Sequence, residues 1–257
     1  MRGSLALHGA AAATLVVRPA AWPWALGAVV ADHLAITAAG LVPRSRWLGP
    51  NLTRLPDSAG AAVALTVDDG PDPEVTPQVL DLLAAAGVRA TFFCIGSRVR
   101  QHPALAREIV ARGHTVENHS EHHLHRFSLL GPRAMAAEVL RAQDSIGSVT
   151  GRVPRFFRAP AGLRNPFLTP ALARGGLQLV SWTRRGFDTL TADPGLILAR
   201  LTHDLGAGDI LLVHDGHAAR RGTSAPAVLS VLPQLLRTLA GRQLRTVTLD
   251  AALPEAP

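Results

Sequence analysis

Over residues 61–249 the chain repeats one pattern: a short apolar run, a polar break, then a stretch with apolar residues at helical spacing. Residues 61–67 are a continuous apolar run that ends in two acids and Gly70-Pro71, as a strand buried on both faces does. In 76–86, Val79, Leu80, Leu82 and Leu83 recur with the period of a helix, and Gly87 stops it. The same reading places strands at 90–95, 114–117, 155–158, 177–182, 209–214 and 245–249. Helices are predicted between them at 103–112, 132–146, 166–174, 194–205 and 225–239. About seven such units without a break in composition predict one α/β domain with a parallel sheet, spanning 61–257. Asp69-Gly70-Pro71 fits neither GxGxxG nor GxxxxGK[ST], so a nucleotide-binding open sheet is disfavoured and a barrel is expected.

In a parallel α/β barrel the chemistry sits where strands end. The predicted ends carry Asp68 and Asp69, then Glu117, Asn118 and His119 with His122, His123 and His125 close behind, then Arg158, Asp188 and His214-Asp215. Taken singly, each has a bland explanation: a turn before Gly-Pro, a solvated histidine loop, a satisfied core histidine. Carboxylates, imidazoles and a guanidinium on five of the seven predicted strand ends point instead to one catalytic centre. His119 and His123 stand four apart, a spacing that on a helical turn presents both rings to one ion, with His122 and His125 as rivals. Two histidines and one aspartate leave open positions on a metal, as a catalytic site requires.

The formal charge of +7 would suit an acidic partner, but all 26 Lys/Arg residues are arginine. No basic run is interleaved with aromatics, so the skew reads as coding bias and no nucleic-acid partner is expected. Cys94, the only cysteine, lies in the apolar run 91–95 and reads as a small buried hydrophobe.

Ahead of this domain, residues 1–43 are predicted to be an apolar helical segment that associates with a membrane through 4–43. It breaks at Arg18-Pro19, and the second piece, 20–42, is long enough to span a hydrocarbon core. Asp32 and His33 fall in the middle of that piece, where each is costly unless partnered. One span, a two-helix hairpin, an interfacial segment and a helix pair packed on the domain all fit. A cleavable signal fits poorly, because a second apolar stretch follows the first. Arg18, Arg44 and Arg46 put positive charge on both sides, so charge sets no orientation. Residues 44–60, with Pro50, Pro56 and Gly60, read as a linker.

Four motifs occur in order: Thr66-Val67-Asp68-Asp69-Gly70-Pro71, His119-Ser120-x-x-His123, Arg158-x-Pro160-x-Gly162 and Leu212-x-His214. They resemble the signature motifs of the polysaccharide deacetylases (carbohydrate esterase family 4, the NodB-homology domain), over about residues 60–250. The resemblance implies a distorted (β/α) barrel of fewer than eight units, in agreement with the count above. It implies that Asp69, His119 and His123 bind a divalent metal, usually Zn2+. Asp68 would be the general base held by Arg158, the Ala161 N–H an oxyanion donor, His214 the general acid, and Leu212 part of a pocket for the acetyl methyl. Two positions depart from the family. Ala161 stands where an aromatic residue is usual, and Asp188, assigned as the partner of His214, lacks the tryptophan that normally follows it. The implied activity is metal-dependent hydrolysis of N-acetyl groups on the amino sugars of a cell-envelope or chitin-like glycan, at a membrane-associated, outward-facing location. The alternatives are a deacylase of a lipid-linked amino sugar and an inactive glycan-binding relic of the same fold.

Overall fold

The computed structural model describes residues 2–220 and 225–253. Two N-terminal helices, α1 (Arg2–Val17) and α2 (Trp22–Leu41), precede the repeating domain. Its elements are β1 (Ala62–Asp68), α3 (Thr76–Ala85), β2 (Thr91–Cys94), α4 (Gly96–Gln101), α5 (Pro103–Ala111), β3 (Thr115–Asn118), α6 (Pro132–Thr150), β4 (Phe156–Phe157), α7 (Leu168–Arg174), β5 (Gln178–Leu179), β6 (Arg184–Arg185), α8 (Pro194–Thr202), β7 (Ile210–His214), α9 (Ala227–Gly241), β8 (Arg245–Val247) and α10 (Leu249–Ala252).

All named strand pairs are parallel, in the order β5-β4-β3-β2-β1-β7-β6, and β8 also pairs with β1. Every residue of β1 is buried. Its alternation decides where the chemistry goes. Val63, Leu65 and Val67 face the large core beneath α3, α5, α8 and α9, whereas Ala64 joins a separate inner cluster with Phe93, Phe156, Val180 and Ile210. Thr66 and Asp68 share the parity of Ala64 and so point to the inside of the curl, above that apolar floor. The sheet is the distorted (β/α) barrel expected, preceded by apolar helices.

Three local expectations change. Residues 177–182 are not one strand: only Gln178–Leu179 forms β5, and the two-residue β6 follows at Arg184–Arg185, at the opposite end of the sheet path. Between them the pairing partner is a remote segment, with Ser181 N donating to Leu52 O at 2.8 Å and Ser181 Oγ to Pro43 O at 2.7 Å. Helix α4 carries no apolar repeat, since Val99 is its one buried large apolar residue, and periodicity did not predict it. Residues 43–55 lie along the domain, with Asn51, Thr53 and Leu55 buried and Asn51 Nδ2 bonded to the carbonyls of Pro43 and Ser45.

α1 and α2 form an antiparallel hairpin turning at Arg18–Ala21. Ser4 Oγ donates to Asp32 Oδ2 at 2.5 Å, and His8 Nε2 lies 3.2 Å from His33 Nε2. The two costly polar residues of α2 are thus partnered by α1. By length and composition, residues 19–41 suffice to cross a membrane.

Candidate active site

The C-terminal ends of the strands open into a cleft of about 750 Å³, lined by Asp68, Asp69, His119, His123, Ala161, Leu212 and His214 among others. Sheet register sets the first contacts. Asp68 lies between Phe93 on β2 and His214 on β7, and Leu212 is beside Arg185.

Arg158 leaves β4 into the inside of the curl and is almost fully buried. Its Nη1 donates to Asp68 Oδ1 at 2.6 Å and to Thr66 Oγ1 at 2.7 Å, and its Nη2 to Ser181 O at 3.2 Å. The guanidinium lies 4.1 Å from the centre of the Phe93 ring, which supports the buried charge from below. Burial pulls the Arg158 pKa below its ordinary value, while the Asp68 charge and hydrogen bond lift it. A charge this deep is tolerable because it is both paired and hydrogen-bonded.

Asp69 follows with φ +79°, a left-handed turn that swings its carboxylate away from Asp68. Its Oδ1 is 3.2 Å from the Nε2 atoms of both His119 and His123. These residues do not share a helical turn, contrary to the expectation from their spacing. Ser120 (φ +64°) and His123 (φ +50°) fold the loop after β3 back on itself, bringing both rings to one oxygen. His122 turns away, and its Nδ1 pairs with Glu138 Oε1 at 2.7 Å.

The donor set fits a cation. His119 Nδ1 lies 2.8 Å from the Arg158 carbonyl, so Nδ1 carries the proton and Nε2 of the neutral ring presents a lone pair. That lone pair faces Asp69 Oδ1, a buried oxygen with no hydrogen-bond partner. Acceptors converging on acceptors are unfavourable unless a positive ion lies between them, and the ligand atoms of Asp69, His119 and His123 all fall within 4.8 Å of one another. The electrostatics agree. Burial works to raise the Asp69 pKa, but its imidazole neighbours, with the His217 hydrogen bond among them, hold the carboxyl well below the usual range. Burial pushes His123 down to about 4. Deprotonated aspartate and neutral histidine are the ligating forms.

Across the cleft, Asp188 is fully buried and accepts from His214 twice, from the ring Nδ1 at 2.8 Å and from the backbone N–H at 2.7 Å. Burial alone would lower the His214 pKa; the Asp188 hydrogen bond and charge, with the charges of Asp69 and Asp68, raise it instead. Ala161, at φ +54°, is exposed at the rim. Leu212 is buried in the wall on β7. The structure therefore gathers all nine sequence-predicted site residues around one cleft.

Sequence reading assigned no role to three further residues around the cleft, of which it had named Thr66 and Asp215 but not His217. Thr66 Oγ1, inside the first motif, accepts from Arg158 and donates to Leu211 O, linking the guanidinium to β7. Asp215 is held by Thr76 Oγ1 at 2.5 Å, and burial pushes its pKa up to about 7, which marks it as a structural carboxyl. His217 Nδ1 donates to Asp69 Oδ2 at 2.8 Å. Its only signal was the His-x-x-His spacing after β7.

Comparison with known proteins agrees with this geometry. The polysaccharide deacetylase family model matches residues 56–180. A peptidoglycan-N-acetylglucosamine deacetylase of Bacillus cereus is 35% identical over 191 residues, covering 74% of this chain and 85% of the relative. A chitooligosaccharide deacetylase of Bradyrhizobium is also 35% identical over 191 residues, covering 70% and 87%. Among solved structures, a family 4 carbohydrate esterase from Streptomyces lividans in complex with acetate superposes with a TM-score of 0.65 at 35% identity, covering 73% of this chain and 92% of that one. With its four motifs converging on one cleft, the chain belongs to the polysaccharide deacetylase family.

Proposed function

We propose that the protein hydrolyses the N-acetyl group of amino-sugar residues in a glycan, releasing acetate and a free amine. The observation that carries this is the placement of three preorganised groups around one cleft: the Asp69/His119/His123 set, the Arg158–Asp68 pair and the Asp188–His214 pair. A divalent ion held by Asp69, His119 and His123, in the usual case zinc, would polarise the amide carbonyl and acidify water.

The remaining steps belong to the chain's own side chains. Asp68 is the general base. Its Oδ1 is pinned by Arg158, which leaves Oδ2, 3.9 Å from His119 Nε2, to take a proton from attacking water beside the metal site. The N–H of Ala161, a left-handed residue at the rim, would serve as the donor to the developing oxyanion. An amine leaves poorly unless protonated. His214 is tied through Nδ1 to Asp188, so it offers Nε2 to the cleft as the acid, and the raised pKa keeps it charged. Leu212 supplies an apolar wall suited to the acetyl methyl.

The relatives are named for peptidoglycan and chitooligosaccharide substrates, and both are candidates here. The decisive experiment measures acetate release from peptidoglycan, chitooligosaccharides and an N-acetylglucosaminyl lipid, before and after chelation and after adding back zinc. Metal-restored acetate release is expected. Its absence from every substrate in the zinc-loaded protein leaves the glycan-binding relic as the better reading.

A further inference from the structure

The N-terminal hairpin meets the domain at the rim of the catalytic cleft. Arg164 N donates to Gly40 O at 3.1 Å at the end of α2, and a side chain on Gly40 would run into the Arg164 carbonyl. Three residues on, Pro43 fills the space beside Gly162, where an added Cβ would come within 2.8 Å of Pro43 and 2.6 Å of Trp182. Gly162 and Trp182 both line the cleft, and Gly162 follows Ala161 directly. The base of the hairpin and the mouth of the cleft are therefore one structure.

Beyond that base, little of the described chain covers the hairpin. Of the residues in α2, only Ala25, Ala39 and Gly40 are buried. Leu26, Val30 and Leu34, spaced four apart on one stripe, are 53%, 47% and 64% exposed, and Val16, Val17 and Trp24 more so. Water is a poor solvent for such a surface. Its polar groups are arranged for a different one. The ionisable residues between the flanking arginines Arg2, Arg18 and Arg44 are His8, Asp32 and His33, and they pair with one another and with Ser4 across the hairpin. Three of the four tryptophans are exposed at its ends, Trp22 and Trp24 near Arg18 and Trp47 near Arg44 and Arg46. Aromatic and arginine girdles at both ends of about 30 Å of apolar helix match the two interfaces of a bilayer.

We propose that this hairpin is inserted in a lipid bilayer and holds the mouth of the cleft against the bilayer surface. The substrate is then an amphiphile, an N-acetylated amino sugar carried on a lipid. The cleft itself shows a matching feature: Leu190, which lines it, is 78% exposed. With the sugar amide at the metal site, the lipid chain runs past Leu190, Trp182 and Pro43 into the layer that holds α2. This inference rests on the deacetylase reading and adds where the substrate resides.

The test uses the full chain, zinc-loaded, with vesicles of phosphatidylcholine and phosphatidylglycerol. Two substrates share one head group: N-acetylglucosamine on a long alkyl chain embedded in the vesicles, and soluble chitotetraose. The protein is expected to float with the vesicles and to release acetate from the embedded lipid at least about tenfold faster, because both partners are confined to one surface. The variant Leu26→Arg/Leu34→Arg is expected to lose vesicle partitioning on the order of a hundredfold, and the lipid preference with it. Its turnover of chitotetraose stays unchanged and reports that the domain is folded; if that turnover is lost, the milder Leu34→Asn takes its place. Failure to float, or equal or preferred turnover of chitotetraose on vesicles, overturns the inference and leaves the deacetylase reading standing. Acetate from neither substrate overturns that reading, and this inference with it.

Discussion

His217 donates through Nδ1 to Oδ2 of Asp69, the oxygen turned away from His119 and His123. Its other nitrogen, Nε2, lies 3.1 Å from Arg98 Nη2, while Arg98 Nη1 donates to the Asp69 carbonyl at 3.0 Å. Guanidinium, imidazole and carboxylate thus form a chain that fixes the orientation of Asp69 without touching the proposed ion position. Groups that orient a ligand in this way typically account for about 10–100-fold in metal affinity. His217→Ala is therefore expected to weaken zinc binding by roughly tenfold, read by competition with a chromophoric chelator, with unchanged circular dichroism. Affinity equal to that of the unmodified protein would reduce His217 to a surface residue.

The two adjacent aspartates should separate cleanly. Asp68→Asn removes the proposed base but keeps the Arg158 contact as a carbonyl acceptor, so turnover is expected to fall by a factor of about 10²–10⁴ with metal content intact. Metal analysis after gel filtration checks it, and loss of the ion from this variant would exchange the roles of Asp68 and Asp69. In the same assay His123→Ala should strip the ion. His122→Ala should not, because His122 is engaged with Glu138.

The Asp188–His214 pair sets the alkaline side of the pH profile. The His214 pKa is raised in the folded protein, and the acid must be protonated to act. Activity is therefore present below that raised value and lost as the pH climbs through it. Asp188→Asn removes the charge and brings the descending limb to lower pH, besides lowering the maximal rate. A limb that stays in place would mean that some other group protonates the amine.

Much of this was legible in the residues, and the exceptions share a cause. β1 could be read because seven consecutive buried residues leave a continuous apolar run, and its end at Asp68 followed. Asp188 could be placed by its position after a strand, although its double bond to His214 depends on a 26-residue separation that no local pattern encodes. The early end of the strand predicted over 177–182, of which only β5 forms, was hidden because what pairs with Val180 and Ser181 is Leu52 and Pro43, far upstream. The loop bearing His119 and His123 misled through spacing: four residues apart suggested a helix, and two left-handed residues achieved the same convergence by other means. In the hairpin, the cost of Asp32 and His33 was visible, but their partners Ser4 and His8 are fixed only by the docking of α1 on α2. Local order was readable; contacts closed over long stretches of chain were not.

His114, at the entrance to β3 and away from the cleft lining, offers a test of stability. Its Nδ1 accepts the Ala90 N–H at 3.0 Å, its ring meets Phe92 edge-on, and the side chain is buried. It must therefore be neutral when folded. Burial first, and then the charges of Arg112 and Arg89, push its pKa down from 6.5 to about 4. The unfolded chain takes up the proton at the ordinary value, so it binds more protons than the folded one across this window. The contribution is fully present above about pH 6.5 and drains away as the pH falls towards 4, a loss of about 3 kcal/mol at 1.36 kcal/mol per pKa unit. Urea unfolding at pH 7 and pH 4.5, with chelator in both so that metal release does not contribute, should show this slope. His114→Gln keeps an acceptor for Ala90 N–H and cannot titrate, so it should be less stable at pH 7 yet lose less on acidification. Parallel pH dependences for the two proteins would place the acid sensitivity elsewhere in the fold.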